Sequence, residues 1–266
     1  IGRRDARQEP VVLLRPRRGQ PAQFKLASGP VLDPVLLSGH DAHDRRRRRA
    51  RPGRNAARSG EDPARNRSQH RRVVVPLRRV PRSLLAQHSA VVAPLLLGKV
   101  LLVDHGDGDR RWGRICEVEA YGGLDDPASH AARGLTPRNE PMFRRAGTIY
   151  VYFTYGMHWC ANIVTGAVGD PLAVLLRAVE PLGGLDQIRA ARPRARRDAD
   201  LTNGPAKLCQ ALGIGEWANG TELGPRRVGS SVQLLDDGTP PPAKPVVGPR
   251  VGISVAQDVP WRFRTP

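Results

Sequence analysis

The sequence predicts an α+β fold: a single compact domain over residues 76–266, with a curved, mainly antiparallel sheet flanked by helices, preceded by a disordered basic arm over residues 1–75. Candidate strands are separated by turns more often than by long helices, which favours antiparallel pairing. Composition changes sharply near residue 75, which sets the boundary of the arm. The length of 266 residues accommodates one domain of about 200 residues and a tail.

The arm is strongly basic and poor in apolar residues. It contains 19 Lys and Arg against 7 Asp and Glu, so it holds +12 of the chain's formal net charge of +18. Its one aromatic residue is Phe24, and an arginine run occupies 45–49. Such a segment cannot bury enough apolar surface to offset its ordering entropy. Three interpretations stay open: a non-specific phosphate-binding tail, a dispensable solvated extension, and sequence that is not native.

Hydrophobic patterns and turn residues predict the elements that follow the arm. A helix is expected over 83–96, then a break at Gly98 and a strand over 99–104. Further strands are expected at 113–121, 148–157, 173–181 and 250–256, and a short helix at 205–214. Loops are expected at 191–205 and 236–245, where Arg, Gly and Pro accumulate.

The sequence also predicts the compartment. No apolar run approaches the 18 or more residues of a membrane span, and the N-terminus lacks the order of a secretory signal. The three cysteines form no CxxC motif, which argues against a disulfide framework or a zinc site. We therefore expect a cytoplasmic protein, nucleoid-associated if bacterial, that is not secreted and has no membrane partner. Its excess positive charge favours an anionic partner.

Aromatic residues are concentrated in one part of the chain. All four tyrosines (Tyr121, Tyr150, Tyr152 and Tyr155) fall within residues 121–155. A sheet core is one interpretation, but four phenols are difficult to bury because each hydroxyl needs a partner. The alternative is a pocket that stacks a flat ligand.

Two carboxylates lie near the first of these tyrosines. In a strand over 115–121, alternation places Ile115, Glu117, Glu119 and Tyr121 on one face. A solvated face with arginine partners and a catalytic general base in an aromatic pocket are both compatible with this pattern. His130 follows in a turn-rich loop, and Arg177 interrupts an apolar strand, where it is at a bend, paired with a carboxylate or lining a site.

Several motifs together resemble the alkyladenine (3-methyladenine) DNA glycosylase family. In order along the chain they are LLGKVL, EVEAY, SHAARGLTPRNEPMF, GTIYVYFTYGM, an asparagine at 162, VLLRAVEP and NGPAKLCQALGI. The similarity runs from about residue 81 to 263, and the set is specific although no single motif is. The resemblance implies a base-excision repair enzyme that flips a damaged purine out of double-stranded DNA and hydrolyses its N-glycosidic bond.

The resemblance also implies a role for individual residues. Glu119 matches the general base that activates water, and Arg177 matches the arginine that helps to hold that water. The remaining matches are the base pocket (Tyr121, His130, Tyr152 and Asn162) and the residues of intercalation and DNA contact (Tyr155 as the wedge, with Tyr150, Met157 and Lys207). No cofactor or metal is implied, and the enzyme is expected to act as a monomer. Without a lysine at the base position, we expect a monofunctional glycosylase that lacks lyase chemistry.

Two other functions are compatible with parts of the pattern. Glu117 and Glu119 are about 6.6 Å apart along a strand, close to the spacing of an inverting carbohydrate glycosidase. Equal loss of activity on changing either glutamate would favour that enzyme class. A non-catalytic basic nucleic-acid binding protein, derived from such a glycosylase, would bind the lesion without releasing the base.

Overall fold

The structure, a computed structural model, describes residues 11–14, 23–26, 75–225 and 228–266. It confirms the predicted α+β class, since helices accompany a large antiparallel sheet. The strands are β1 (Val11–Leu14), β2 (Gln23–Leu26), β3 (Val75–Arg79), β4 (Val100–Asp104), β5 (Arg110–Tyr121), β6 (Ile149–Thr154), β7 (His158–Thr165), β8 (Leu172–Gly183), β9 (Ser231–Asp236), β10 (Val246–Gly248) and β11 (Arg262–Arg264). The α-helices are α1 (Arg82–Leu85), α2 (Ser89–Leu96), α3 (Leu185–Ala191) and α4 (Pro205–Leu212). Short 3-10 helices span Gly123–Asp125, Glu140–Phe143, Asp198–Asp200 and Glu216–Ala218.

Strand β5 lies at the centre of the sheet. The strand order is β2-β1-β3-β9-β4-β5-β8-β7-β6, and the neighbouring strands pair antiparallel. On one side β5 pairs with β8 from Trp112 to Tyr121. On the other side its first half pairs with β4, and β11 takes over at Glu117–Glu119, with β10 beyond it. The residues predicted as the chemical centre are therefore held by strands on both sides.

Hydrophobic clusters lie on the two faces of the sheet. Consecutive residues of β7 alternate between them, because Ile163 belongs to the larger cluster and Val164 to the smaller. The larger cluster includes buried leucines of α2 and α4: Leu96, Leu208 and Leu212. The smaller one includes Ala131 and Met142 of the segment 122–147. Helices thus cover one face, and this long segment covers the face on which the site is found.

Two predicted elements differ from the structure. The single helix expected over 83–96 is wrong, since α1 ends at Leu85 and α2 begins at Ser89, where the His88 ring accepts a hydrogen bond from the Ala90 amide at 3.2 Å. The strand expected over 250–256 is also wrong. That segment is irregular, because the Arg250 side chain turns into the protein and Gly252 has a φ of 79°. The break at Gly98 is present, with a φ of 86°.

The basic arm is mostly beyond what the structure describes. The prediction of disorder over 1–75 falls, apart from 11–14, 23–26 and Val75, on residues that lie outside the described ranges. Within it, β1 pairs with both β2 and β3. Among the helices of the described ranges, none is long and apolar enough to span a membrane.

Candidate active site

The register of four strands brings the candidate residues to one face of the sheet. Glu119 of β5 lies opposite Leu175 of β8, Leu175 lies opposite Asn162 of β7, and Asn162 lies opposite Tyr150 of β6. Residues in such a row point to the same side of a sheet. The row therefore joins the predicted general base to Asn162 and to the tyrosine strand, which sequence spacing alone does not show.

Residues two positions before or after this row on each strand lie on the same face. Tyr121 and Glu117 flank Glu119, Arg177 follows Leu175, and Tyr152 follows Tyr150. The side-chain contacts agree, since Arg177 reaches both glutamates and the Tyr121 hydroxyl reaches Glu119.

Ile115 does not share this face, contrary to the expectation from simple alternation. Irregular register between Ile115 and Val118 interrupts the alternation, and both of these residues belong to the larger core cluster. A β-bulge or irregularity of this kind shifts which side chains face the core. It leaves Glu117, Glu119 and Tyr121 together on the site face.

Glu119 is completely buried, and both of its carboxylate oxygens have partners. One carboxylate oxygen, Oε1, accepts a hydrogen bond from the Val251 amide at 2.8 Å and lies 3.2 Å from Nη1 of Arg177. The other, Oε2, accepts from the Tyr121 hydroxyl at 3.0 Å. The side chain of Glu119 is 0% exposed. These contacts fix the direction in which its remaining lone pairs point.

Burial raises the pKa of Glu119 above its ordinary value. Arg177, the Val251 amide and the Tyr121 hydroxyl oppose that effect without cancelling it. Burial also raises the pKa of Tyr121, as does the neighbouring Glu119 carboxylate, so the phenol keeps its proton and acts as the donor. A carboxylate whose pKa is raised toward neutrality is a stronger base, and this is the property that general base catalysis requires.

Arg177 bridges the two glutamates. Its Nε donates to Oε1 of Glu117 at 2.9 Å, while Nη1 contacts Glu119. Arg262 of β11 approaches the same Glu117 oxygen at 3.4 Å. Of the alternatives open for a charged residue in an apolar strand, the structure shows pairing with carboxylates at the site.

His130 and Tyr152 contact each other edge to face. Their ring centroids are 4.4 Å apart with an interplanar angle of 75°. The His130 Nδ1 atom shares a hydrogen bond of 2.9 Å with the Tyr150 hydroxyl. Burial lowers the pKa of His130, and the Arg138 guanidinium lowers it further, so the imidazole is neutral at physiological pH.

Tyr150 lies beneath His130 and is not at the surface of the protein. Its side chain is 1% exposed, and burial raises its pKa to about 12. Its hydroxyl is directed at the imidazole and its ring belongs to the smaller cluster, while contact between Tyr150 and DNA stays a prediction. Asn162 is also buried, and its amide donates to the Tyr150 carbonyl at 3.1 Å.

Sequence reasoning did not single out Asn139, which holds the segment that contains His130. Its Nδ2 donates to the carbonyls of His130 and Gly134, both at 2.9 Å. Its Oδ1 accepts from the Thr136 amide at 2.7 Å, and the residue is 1% exposed. A buried asparagine with three hydrogen bonds to one loop fixes the conformation of that loop.

A buried ion pair supports Tyr121 from behind. Arg250 lies with its guanidinium carbon 4.9 Å from the Tyr121 ring centroid and 5.4 Å from that of Trp261. Both terminal nitrogens of Arg250 donate to the Asp126 carboxylate, one of them at 2.9 Å. Because the two partners are 124 residues apart, the sequence contains no local signal for this pair.

The turn between β6 and β7 exposes apolar side chains. Tyr155 has a φ of 50° and is 81% exposed, and Met157 is 68% exposed. On the preceding strand Phe153 is 45% exposed and stacks at 4.7 Å on Trp159. Large exposed apolar side chains at one tip indicate an interaction site. Lys207 lies apart from this turn, on α4, where its Nζ bonds Asn203 at 2.8 Å.

Several arginines of the segment 189–197 make contacts within the protein. Arg189 pairs with Asp198, Arg197 pairs with Asp200, and Arg192 donates to the Leu201 carbonyl. Arg194 and Arg196 are exposed. In the ranges that the structure covers, no group of three or more His, Cys, Asp or Glu side chains converges as metal ligands would.

Comparison with known proteins gives a consistent result. The family model described as methylpurine-DNA glycosylase matches residues 83–266. A relative from Burkholderia orbicola is 53% identical over 187 residues, which are 70% of this chain and 87% of the relative. Relatives from Nocardia farcinica (50% identical over 159 residues, 58% of this chain and 74% of the relative) and Carboxydothermus hydrogenoformans (43% over 185 residues, 69% and 93%) are similar as well. All three bear the provisional name 3-methyladenine DNA glycosylase.

Proposed function

The chain belongs to the methylpurine-DNA glycosylase family, and we propose that it releases damaged purines from double-stranded DNA by hydrolysis of the N-glycosidic bond, leaving an abasic site. Membership supports DNA glycosylase activity in DNA repair, with DNA as the substrate. The proposed substrates are damaged purines of the 3-methyladenine, hypoxanthine and ethenoadenine type. We assign the activity to a domain over residues 76–266 that acts as a monomer.

The fully buried carboxylate of Glu119 beside Arg177 is the observation that most supports this proposal. A water oxygen attacks C1′ of the deoxyribose as the sugar gains oxocarbenium character, and its proton passes to Glu119. The bond from C1′ to the purine nitrogen breaks, and its electron pair leaves with the base. The Oε2 atom of Glu119 accepts only from the Tyr121 hydroxyl, so it has a free acceptor site for this water.

The aromatic walls suit a flipped purine. We assign Tyr121 to one side of the flipped base, and His130 and Tyr152 to the other. Stacking on aromatic side chains is worth about 1–3 kcal/mol per base, and it needs no particular base. We assign to the buried amide of Asn162 the exclusion of guanine, whose amino group at C2 is absent from hypoxanthine and from adenine derivatives.

The exposed turn suits entry into the DNA stack. We assign Tyr155 as the wedge that occupies the space left by the flipped nucleotide, with Met157 beside it. Unstacking costs a few kcal/mol, and damaged or mispaired bases reduce that cost. Lesions are therefore favoured before any bond is broken. Lys207 and the exposed Arg194 and Arg196 are available for phosphate contacts.

The contacts of Glu117 argue against a carbohydrate glycosidase. In such an enzyme the two carboxyl groups flank the bond that is broken. Glu117 and Glu119 instead contact one guanidinium, that of Arg177, which occupies the space between them. A Glu119 base in the place of a lysine also supports hydrolysis without Schiff-base lyase chemistry.

The activity can be tested on duplex DNA that contains one hypoxanthine, with alkali used to cleave at abasic sites. We expect strand cleavage with the wild-type chain and none with Glu119→Gln. Glu180→Gln, at an exposed glutamate of β8, serves as the matched control and should cleave like the wild type. Duplexes with ethenoadenine and 3-methyladenine define the substrate range.

Failure on all three substrates by a folded sample that still binds the lesion would contradict the proposal. That result would establish the non-catalytic binding protein instead.

A further inference from the structure

Glu117 has no role in the proposed chemistry, yet it is closely bound to the catalytic machinery. It lies on β5 two residues before Glu119, and its side chain is 24% exposed. Its Oε1 accepts from Nε of Arg177 at 2.9 Å and lies 3.4 Å from Nη1 of Arg262. A purely solvated glutamate would not be held by arginines from the strands on both sides of its own.

The contacts of Arg177 define what Glu117 does. The guanidinium is planar, so donors on different nitrogens cannot be turned independently. With Nε fixed on Glu117, Nη1 is directed at Oε1 of Glu119, 3.2 Å away. The side chain of Arg177 is 12% exposed, which limits screening of its charge by water.

Resting on the proposed function, we propose that Glu117 is a positioning residue: it fixes the Arg177 guanidinium against Glu119 and shares its charge, so that Glu119 stays basic enough to take a proton from water. Without Glu117, Arg177 could turn fully toward Glu119. The carboxylate would then be better paired and a weaker base. The two glutamates therefore have different roles, one accepting the proton and the other arranging the arginine.

Three parts of the chain supply the groups that face Glu119. Tyr121 and Glu117 come from β5, Arg177 comes from β8, and the Val251 amide comes from the irregular segment after β10. Arg262 of β11 acts through Glu117, and Arg250 acts through the Tyr121 ring. Of these, Glu117 is the anion that opposes ionisation of Glu119, and Arg177 is the largest opposing influence.

The test is the single-turnover rate of hypoxanthine release as a function of pH. Activity requires ionised Glu119, so the rate rises through its pKa on the acidic side. In Glu117→Gln a like charge about 7 Å away is lost and Arg177 is released. We expect the acidic limb to move about one pH unit lower and the plateau rate to fall about tenfold.

Two further variants complete the design. Glu117→Asp keeps the charge but is one methylene shorter, so its plateau should fall while its acidic limb stays in place. If Glu117→Gln does not fold, Glu117→Asp still tests whether Glu117 positions Arg177. Glu180→Gln removes an exposed glutamate from β8 and should reproduce the wild-type profile.

The outcomes separate the inference from the proposed function. A Glu117→Gln profile that superimposes on the wild type, or whose acidic limb moves to higher pH, overturns the positioning role. Loss of activity as complete as in Glu119→Gln also overturns it, because Glu117 would then be catalytic itself. Absence of release by the wild type on every substrate overturns the proposed function, and this inference with it.

Discussion

The buried ion pair between Asp126 and Arg250 gives the sharpest prediction on stability. The two side chains are 3% and 0% exposed, and the pair joins the segment after β5 to the segment that presents the Val251 amide to Glu119. Asp126 also accepts from the amides of Gly122 and Ala128, at 3.0 and 3.1 Å. Replacing Arg250 by Met removes the cation and leaves a buried carboxylate with these two amides only.

The cost follows from the uncompensated charge. Removing one partner of a buried pair costs about 3–5 kcal/mol, and the two amides place this case near 3 kcal/mol. For a domain of 150–250 residues, each kcal/mol lowers Tm by about 2–4 °C. We therefore expect Arg250→Met to unfold about 6–12 °C below the wild type at pH 7.5, and to remain folded at 25 °C because domains have about 5–15 kcal/mol of stability.

The pH dependence has a defined sign. Burial raises the pKa of Asp126, but Arg250 and the two amides outweigh it, so the pKa in the folded protein is lowered. A carboxyl group with a lowered pKa stabilises the fold above its ordinary pKa, and this contribution is lost as the pH falls through the folded value. The Tm difference between the wild type and Arg250→Met should shrink in that range.

Thermal unfolding followed by circular dichroism measures these differences. The double variant Asp126→Asn with Arg250→Met removes both charges, and it should recover at least about 1.5 kcal/mol relative to the sum of the single changes. A Tm for Arg250→Met within about 2 °C of the wild type, or simple additivity in the double variant, would show that the two side chains do not stabilise each other.

Other predictions concern Glu119, the loop held by Asn139, and the exposed Tyr155. The pKa of Glu119 is raised in the folded protein, so its ionisation opposes folding above its ordinary pKa, and protonation relieves this cost as the pH falls through the raised value. We therefore expect the Tm of Glu119→Gln to be at least that of the wild type at pH 8, and the difference in Tm to become smaller toward pH 4. Asn139→Ala should lose about 2–4 kcal/mol in urea unfolding and raise KM more than it lowers kcat, because His130 loses its support; an unchanged KM contradicts that role. Tyr155→Ala should weaken binding of a hypoxanthine duplex about tenfold while stability stays within about 0.5 kcal/mol, since the side chain is 81% exposed. A larger loss of stability would show that Tyr155 packs against the fold.

The sequence predicted correctly those strands and helices whose formation depends mainly on neighbouring residues. Strands β4 and β5 and helix α4 follow from alternation, turn residues and apolar spacing. The segment 250–256 contains two valines and an isoleucine and resembles a strand in composition, but Arg250 turns inward to a partner 124 residues away. That long-range pairing overrides the local preference, and no pattern within the segment reports it.

The site was predictable to the extent that it lies on one strand. Alternation was enough to place Glu119 beside Tyr121. It was not enough for Ile115, because a register irregularity depends on how β5 meets β8. Burial of Tyr150 under His130 required knowledge of how the segment 122–147 covers the sheet.

The most direct test of the central claim is mass spectrometry of single-turnover products from a hypoxanthine duplex, without alkali. We expect free hypoxanthine in equal amount to an unbroken strand with one abasic site, and neither product with Glu119→Gln. Strand breakage without alkali, or equal base release by Glu119→Gln, would contradict hydrolysis by water activated at Glu119.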